Sequence, residues 1–204
     1  MCRIVFWNQN RKDLTGLVCE LASSTKADVL VLNECTVSIS NTVQALKSRV
    51  DQNFFVPKTI SEDNKFHCFC RNSALDLTEV HKGNRTSVRN LNLASTQALL
   101  VLVHGVDIRN HDSESRQSFL QDLMVDLQLV KAERHNRLIL MGDFNMNPYE
   151  SGMNQARGLN SMMTRACVTR GQRTSMGKAS TCTTILCGVC LEMDLKVRRA
   201  PYTI

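Results

Sequence analysis

Asp143 and Asn145 stand two positions apart in the segment RLILMGDFNMN, residues 137–147. In extended geometry a carboxylate and an amide at that spacing point to one side of the chain. A hard cation such as magnesium takes few protein oxygens, keeps several waters and shares its shell with substrate phosphate. The Asp–Asn pair suits that demand. The same residue types recur twice upstream. Asn33 and Glu34 close the run DVLVL at 28–32, and Asn8, Gln9 and Asn10 close IVFW at 4–7. One such residue at a strand end is an ordinary turn former. Three strand ends of the same character point to a shared site.

The elements that must position these residues follow from the patterning. Residues 138–141 form an uncharged apolar run, the mark of a buried strand. Gly142 lets the backbone turn sharply after it. The carboxyl end of such a strand is where an α/β protein builds its site. Strands are predicted at about 2–7, 28–33, 52–57, 65–70, 97–104 and 137–142, with short strands and loops in the polar stretch 71–96. Helices are predicted at 12–24 (Leu14, Leu17, Val18, Leu21), 39–50 (Val43, Leu46, Val50) and 114–134 (Phe119, Leu120, Leu123, Leu127, Val130), each from helical spacing of its apolar residues. A further helix opens at Pro148 and Glu150 and runs to about 163, with Met153, Leu159, Met162 and Met163 as its apolar positions. This mixture predicts an α/β fold: two packed mixed β-sheets flanked by helices, a four-layer sandwich.

With these residues in place, the chain resembles the endonuclease/exonuclease/phosphatase superfamily, of the exonuclease III and deoxyribonuclease I type. The matching residues are Trp7-Asn8, Leu32-Asn33-Glu34 (where the family usually has Gln before its Glu) and Gly142-Asp143-Phe144-Asn145. His104 is a fourth match, closing the apolar run 98–103. The resemblance covers residues 1–165 and implies a magnesium- or manganese-dependent phosphodiester or phosphoester hydrolase. It implies that Glu34 holds the metal with Asn8 helping to place metal or phosphate, and that Asp143 activates or orients the attacking water. Asn145 would bind the phosphate, and His104 would support the site or contact phosphate. The implied partner is a phosphodiester substrate, with DNA and RNA among the candidates. Substrate choice in such a family lies in loops outside the shared motifs.

The family pattern ends in a late Ser-Asp-His element, and here the chain departs. Its five histidines, His67, His81, His104, His111 and His135, all precede Asp143. The chain is also short for the family, and it is expected to lack the final strands of the sandwich, as a bacterial-type member truncated or frameshifted near its C-terminus. Residues 166–204 form an atypical tail. Residues 164–204 hold seven Lys/Arg against two Asp/Glu, five of the six net positive charges of the chain. From about Gly171 the tail is expected to be out of frame. Read from the third base of the Thr181 codon, residues 181–193 can encode Met-Tyr-Tyr-Asn-Pro-Met-Trp-Ser-Leu-Phe-Gly-Asp-Gly, which is similar to what bacterial relatives carry near this point.

Other features carry less. Cys187 and Cys190 form a C-x-x-C beside Cys182, but no second pair at zinc spacing follows. Cys68 and Cys70 alternate in a strand pattern and read as packing residues. Arg109 and Arg116 offer phosphate contacts, while Asp112 and Ser113 read as helix caps. Trp7, Met141 and Met146 read as packing, and His67, His81 and His135 as surface or strand residues. A composition of 43% apolar and 22% charged residues is that of an ordinary globular domain, without a disordered or membrane-spanning bias. Nine cysteines and an N-terminus unlike a secretory leader point to reduced thiols in the cytoplasm.

The sequence reading is thus a hydrolase of this superfamily whose turnover is weak or lost with the late Asp-His pair. One alternative is a non-catalytic metal- or nucleic-acid-binding remnant. Another is a decayed reading frame without a stable product.

Overall fold

In a computed structural model of the chain, the described residues are 2–60, 65–93, 96–106, 113–133, 138–145 and 198–199. They form two four-stranded sheets. The first, sheet A, contains β1 (Ile4–Asn8), β2 (Val29–Asn33), β3 (Phe66–Cys70) and the short β8 (Arg198–Arg199), in the order β3-β2-β1-β8. The second, sheet B, contains β4 (Glu79–Lys82), β5 (Thr86–Leu93), β6 (Thr96–His104) and β7 (Leu138–Asp143), in sequence order. Both sheets are mixed. β1 runs parallel to β2 and β8, while β3 is antiparallel to β2. β4, β5 and β6 form an antiparallel meander, and β7 then joins β6 in parallel.

Alternation along each strand builds three apolar layers. Ile4 and Phe6 of β1, Val29 and Val31 of β2, and Phe66 and Cys68 of β3 face Leu91, Leu100, Leu102 and Met141 of sheet B. The opposite parity of sheet A, Val5, Leu30, Leu32 and Phe69, packs on α1 (Thr15–Thr25) and α2 (Ile39–Arg49). The outer face of sheet B, Leu99, Val101, Val103 and Leu140, packs on α3 (Ser113–Glu133). The order helix–sheet–sheet–helix is the four-layer sandwich read from the sequence.

Local differences have local causes. Residues 52–57 are not a strand. Asp51 Oδ1 accepts Asn53 N at 2.9 Å and turns the chain, leaving Phe55 only an isolated bridge to Cys70. In α1 the buried face is Val18, Cys19 and Ala22, whereas Leu17 is 43% exposed. Asp13 Oδ1 accepts Thr15 N at 3.1 Å and starts the helix later than the apolar spacing suggests. In α3, Phe119, Leu120 and Leu123 are buried as predicted and Leu127 packs beside them. The polar stretch 71–96 does hold strands, β4 and all of β5. The helix predicted at 148–163 and the tail cysteines lie outside the described residues. In the tail, residues 198–199 pair with β1 at Val5 and Phe6.

Gly142 does not end β7 in a turn. The strand continues through Gly142 and Asp143, which pair with Val103 and His104. Glycine is required for another reason. A Cβ here would collide with the Val103 carbonyl and with Val103 N, both backbone atoms that cannot swing aside. Gly142→Ala is expected to destabilise the chain by about 2 kcal/mol or more, since overpacking against fixed backbone forces β7 off β6. Urea unfolding checks this; an unchanged midpoint would contradict the close approach.

A carboxylate near the β5 turn region gives the fold a pH signature. Asp76 accepts Thr78 N at 3.0 Å, Asn90 Nδ2 at 3.1 Å and Asn92 Nδ2 at 3.0 Å. Burial pushes this carboxyl up, but the hydrogen bonds together hold it below its ordinary value of 3.8. A depressed folded value stabilises the fold above the unfolded value, and this stability is lost as pH falls through the folded one. Asp76→Ala is therefore expected to lower the melting temperature at neutral pH and to shrink its fall between pH 4 and pH 2. Parallel melting curves for the two chains across that range would contradict the assignment.

Candidate active site

The carboxyl ends of β1, β2, β6 and β7 meet at one end of the sandwich. Asn8 closes β1, and Asn33 closes β2 with Glu34 directly after it; His104 and Asp143 close β6 and β7. Parallel pairing sets Asn8 beside Asn33 and His104 beside Asp143. Backbone hydrogen bonds then tie the following loops together. Gln9 N donates to Asn33 O at 2.9 Å, Arg11 N to Glu34 O at 3.0 Å, and Gly105 N to Asp143 O at 2.6 Å.

The side chains bridge the two sheets. Asn8 Nδ2 donates to Asp143 Oδ2 at 2.8 Å and lies 3.3 Å from Glu34 Oε1. His104 Nε2 lies 3.2 Å from the same Glu34 oxygen. One amide and one imidazole thus gather two carboxylates from different sheets. The hydrogen bond with His104 holds Glu34 below the usual carboxylate range; burial opposes this, and the Asn8 amide adds to the lowering. Asn8 Oδ1 accepts Asn10 N at 2.9 Å, so its nitrogen is the atom turned to the carboxylates.

Asn145 departs from the extended geometry expected of it. Its φ is 51°, and its backbone N donates to Asp143 Oδ1 at 3.0 Å. The Asp143 side chain therefore folds the chain into an Asx turn instead of sharing a strand face with Asn145. Both Asp143 oxygens are thereby held, one by Asn8 and one by Asn145. The Asn145 amide reaches Gly105 O at 3.4 Å. Gly105 is the hub of this corner, because a Cβ on it would collide with the Phe144 carbonyl. Of the five non-glycine residues at positive φ among the described residues, Asn10, Arg11, Glu34 and Asn145 lie on the site loops, and Lys26 caps a helix. Asn adopts this region readily; Glu does so at a cost of order 1 kcal/mol or more, a strain typical of functional loops.

All five residues singled out from the sequence, Asn8, Glu34, His104, Asp143 and Asn145, thus lie in one cluster. Arg109, His111 and Asp112 lie outside the described residues, whereas Ser115 and Arg116 are half-buried on α3. Trp7 packs on the helix side of sheet A, and Met141 is buried between the sheets. The reading of the residue types assigned no role to Asn33 or Gly105. Strand parity, which puts Asn33 on the same side as Asn8, was the signal for the first. Gly105 left no signal in the sequence.

The family model for the endonuclease/exonuclease/phosphatase family matches residues 5–191. The chain belongs to this family. Members of the endonuclease/exonuclease/phosphatase family are hydrolases, nucleases and phosphatases among them, and generally depend on a divalent metal. Among solved structures, a humanized D. rerio TDP2 carrying 14 mutations is similar at 20% identity, with a TM-score of 0.51 over 76% of this chain and 66% of that one. The endonuclease domain of TRAS1, a telomere-specific non-LTR retrotransposon, gives 17% identity and a TM-score of 0.51 over the same shares. A β-hairpin deletion mutant of beta toxin from Staphylococcus aureus gives 11% identity and a TM-score of 0.59, covering 98% of this chain and 92% of that one. At these identities the likeness is one of fold, and the chain spans just under two thirds of the first two structures. No curated protein matches the sequence.

The family's divalent metal can be tested against the donors present. Among the described residues no three His, Cys, Asp or Glu side chains form a metal cluster. The arrangement offers the carboxyl groups of Glu34 and Asp143, with amides around them. A buried amide without a hydrogen-bond partner among the described residues, Asn33, stands beside them. This is a hard-oxygen set of low ligand number, and it fits an ion that keeps most of its waters.

Proposed function

We propose that this chain is a divalent-metal-dependent phosphodiester or phosphoester hydrolase, with magnesium or manganese as its ion. The observation that carries this reading is the joining of Glu34 and Asp143, from different sheets, through the single Asn8 amide. Glu34 would hold the ion, while Asn8, whose nitrogen faces the carboxylates, would position Glu34 and not ligate. When bound, the ion neutralises charge on the phosphoryl oxygens and lowers the barrier to attack. His104 keeps Glu34 ionised and fixed in direction. Asp143, oriented through both oxygens, aligns the attacking water and accepts its proton. Asn145 donates its amide to the phosphate once it leaves the long contact to Gly105 O.

Turnover is proposed to be slow. Residues 144–204 hold no histidine, which is the observation behind this part of the proposal. The tail from about Gly171 is proposed to be out of frame, and gene sequence at codons 181–193 tests that directly. One observation favours a second reading, a metal- or nucleic-acid-binding remnant: most of the net positive charge follows residue 163. DNA and RNA are the proposed substrates to try first, because one similar structure is the endonuclease domain of the retrotransposon TRAS1. The five described cysteines are free, which accords with the proposed cytoplasmic setting. No helix among the described residues is long and apolar enough to cross a membrane.

The deciding experiment is hydrolysis of DNA, RNA and a generic phosphodiester, with and without magnesium. Metal-dependent turnover supports the hydrolase. Salt-sensitive DNA binding without turnover would replace it with the second reading.

A further inference from the structure

Asn33 is the last residue of β2 and is 1% exposed. Val29 and Val31 of the same strand face the core between the sheets, and Leu30 and Leu32 face the helices. Alternation therefore turns Asn33 toward sheet B. Asn8 has the same parity on β1, after Ile4 and Phe6, and is the register partner of Asn33. The two amides stand side by side on neighbouring parallel strands, about 5 Å apart. Asn8 is engaged with Glu34 and Asp143. Asn33 engages nothing: its Nδ2 and Oδ1 are both buried, and neither has a hydrogen-bond partner among the described residues.

Buried polar groups in folded proteins are almost always satisfied, and one left over calls for a water, an ion or a ligand. No other described side chain has two polar atoms so placed. A second orphan, His104 Nδ1, lies at the same end of the sandwich, on the imidazole that holds Glu34. An aliphatic residue would fill the Asn33 position without this cost, as the four before it in β2 do. An amide here stabilises the free fold less than a leucine would, and its use has to lie in a bound state.

We infer that Asn33 is a positioning residue of the metal site, whose Oδ1 accepts a hydrogen bond from a water carried by the divalent ion held at Glu34. This rests on the reading of the site as a divalent-metal centre. Ions of this class keep several waters, and those waters are strong donors that need acceptors from the protein. Asn33 lies one residue from Glu34 in the chain and beside Asn8 in the sheet, yet is too buried to meet substrate from solvent.

The test uses the full chain and its Asn33→Leu and Asn33→Asp variants. Magnesium and manganese binding is measured by calorimetric titration, and melting without metal is recorded in parallel. Asn33→Leu removes both polar atoms, and it is expected to melt at or above the parent temperature without metal while binding either ion at least about tenfold more weakly. Asn33→Asp keeps an acceptor at the same place, and it is expected to bind the ion at least as tightly as the parent while melting lower without it. Parent-like affinity in Asn33→Leu would overturn the inference. So would a large loss of metal-free stability in Asn33→Leu, which would show a partner already present in the free fold. If the parent itself binds neither ion, the metal-centre reading falls and takes the inference with it. A parent that binds beside a leucine variant that binds equally well would sink the inference alone.

Discussion

Asp143→Ala is expected to cut magnesium-dependent phosphodiester hydrolysis by about a thousandfold or more, with little change in substrate KM. The carboxylate is buried to 7% exposure and held through both oxygens, by Asn8 Nδ2 at 2.8 Å and by Asn145 N at 3.0 Å. A group fixed in this way acts mainly on the transition state, and its loss appears in kcat. The same change leaves Asn8 without one acceptor and releases the Asx turn at Asn145. Stability should therefore fall by about 1 kcal/mol, the net contribution of hydrogen bonds lost at partly buried groups. Rates with a fluorogenic phosphodiester, alongside a melting curve, separate the two effects. A variant that keeps a third of parental kcat would remove Asp143 from the chemistry.

The second large effect concerns folding. Arg89 on β5 and Glu79 on β4 are both fully buried, with Arg89 Nη2 3.5 Å from Glu79 Oε1. Arg89 Nη1 also donates to Leu77 O at 3.3 Å, and Glu79 accepts Ser87 Oγ at 2.5 Å and Ile60 N at 2.9 Å. Arg89→Met strands a carboxylate in an apolar interior and is expected to cost about 3–5 kcal/mol. Replacing both partners, Glu79→Leu with Arg89→Met, should cost much less than the single change, because no unpaired charge then remains. It will not be free, since Ser87 Oγ and Ile60 N lose their acceptor. Urea unfolding of the two single variants and the double supplies the cycle. A double variant as unstable as Arg89→Met would show that the pair does not act as a unit.

Much of this arrangement was legible before any coordinates. The runs at 4–7, 28–32, 98–103 and 138–141 marked buried strands because a strand covered on both faces carries no polar alternation. Three of them ended in an amide or a carboxylate, which pointed to Asn8, Glu34, Asp143 and Asn145, while His104 was named by the family resemblance. The helices α2 and α3 followed from apolar spacing within a residue or two. α1 starts later than predicted because of the Asp13 turn before it, a local hydrogen bond that periodicity does not encode. Residues 52–57 misled for a related reason: QNFFVP has the composition of a strand, but the Asp51 turn leaves it only one bridge.

What the sequence by itself determined was the set of chemical groups, their order, and their location at strand ends, because these depend on residue type and local period. Tertiary structure alone decided which of them touch. Glu34 and His104 are 70 residues apart, and Asn8 and Asp143 are 135 apart. Their contact depends on how two sheets stack and on the register of β1 with β2 and of β6 with β7. The Asx turn that takes Asn145 out of the strand, and the orphaned amide of Asn33, also became visible only there. Both are matters of direction in space, and residue spacing along a chain does not carry direction once the strand ends.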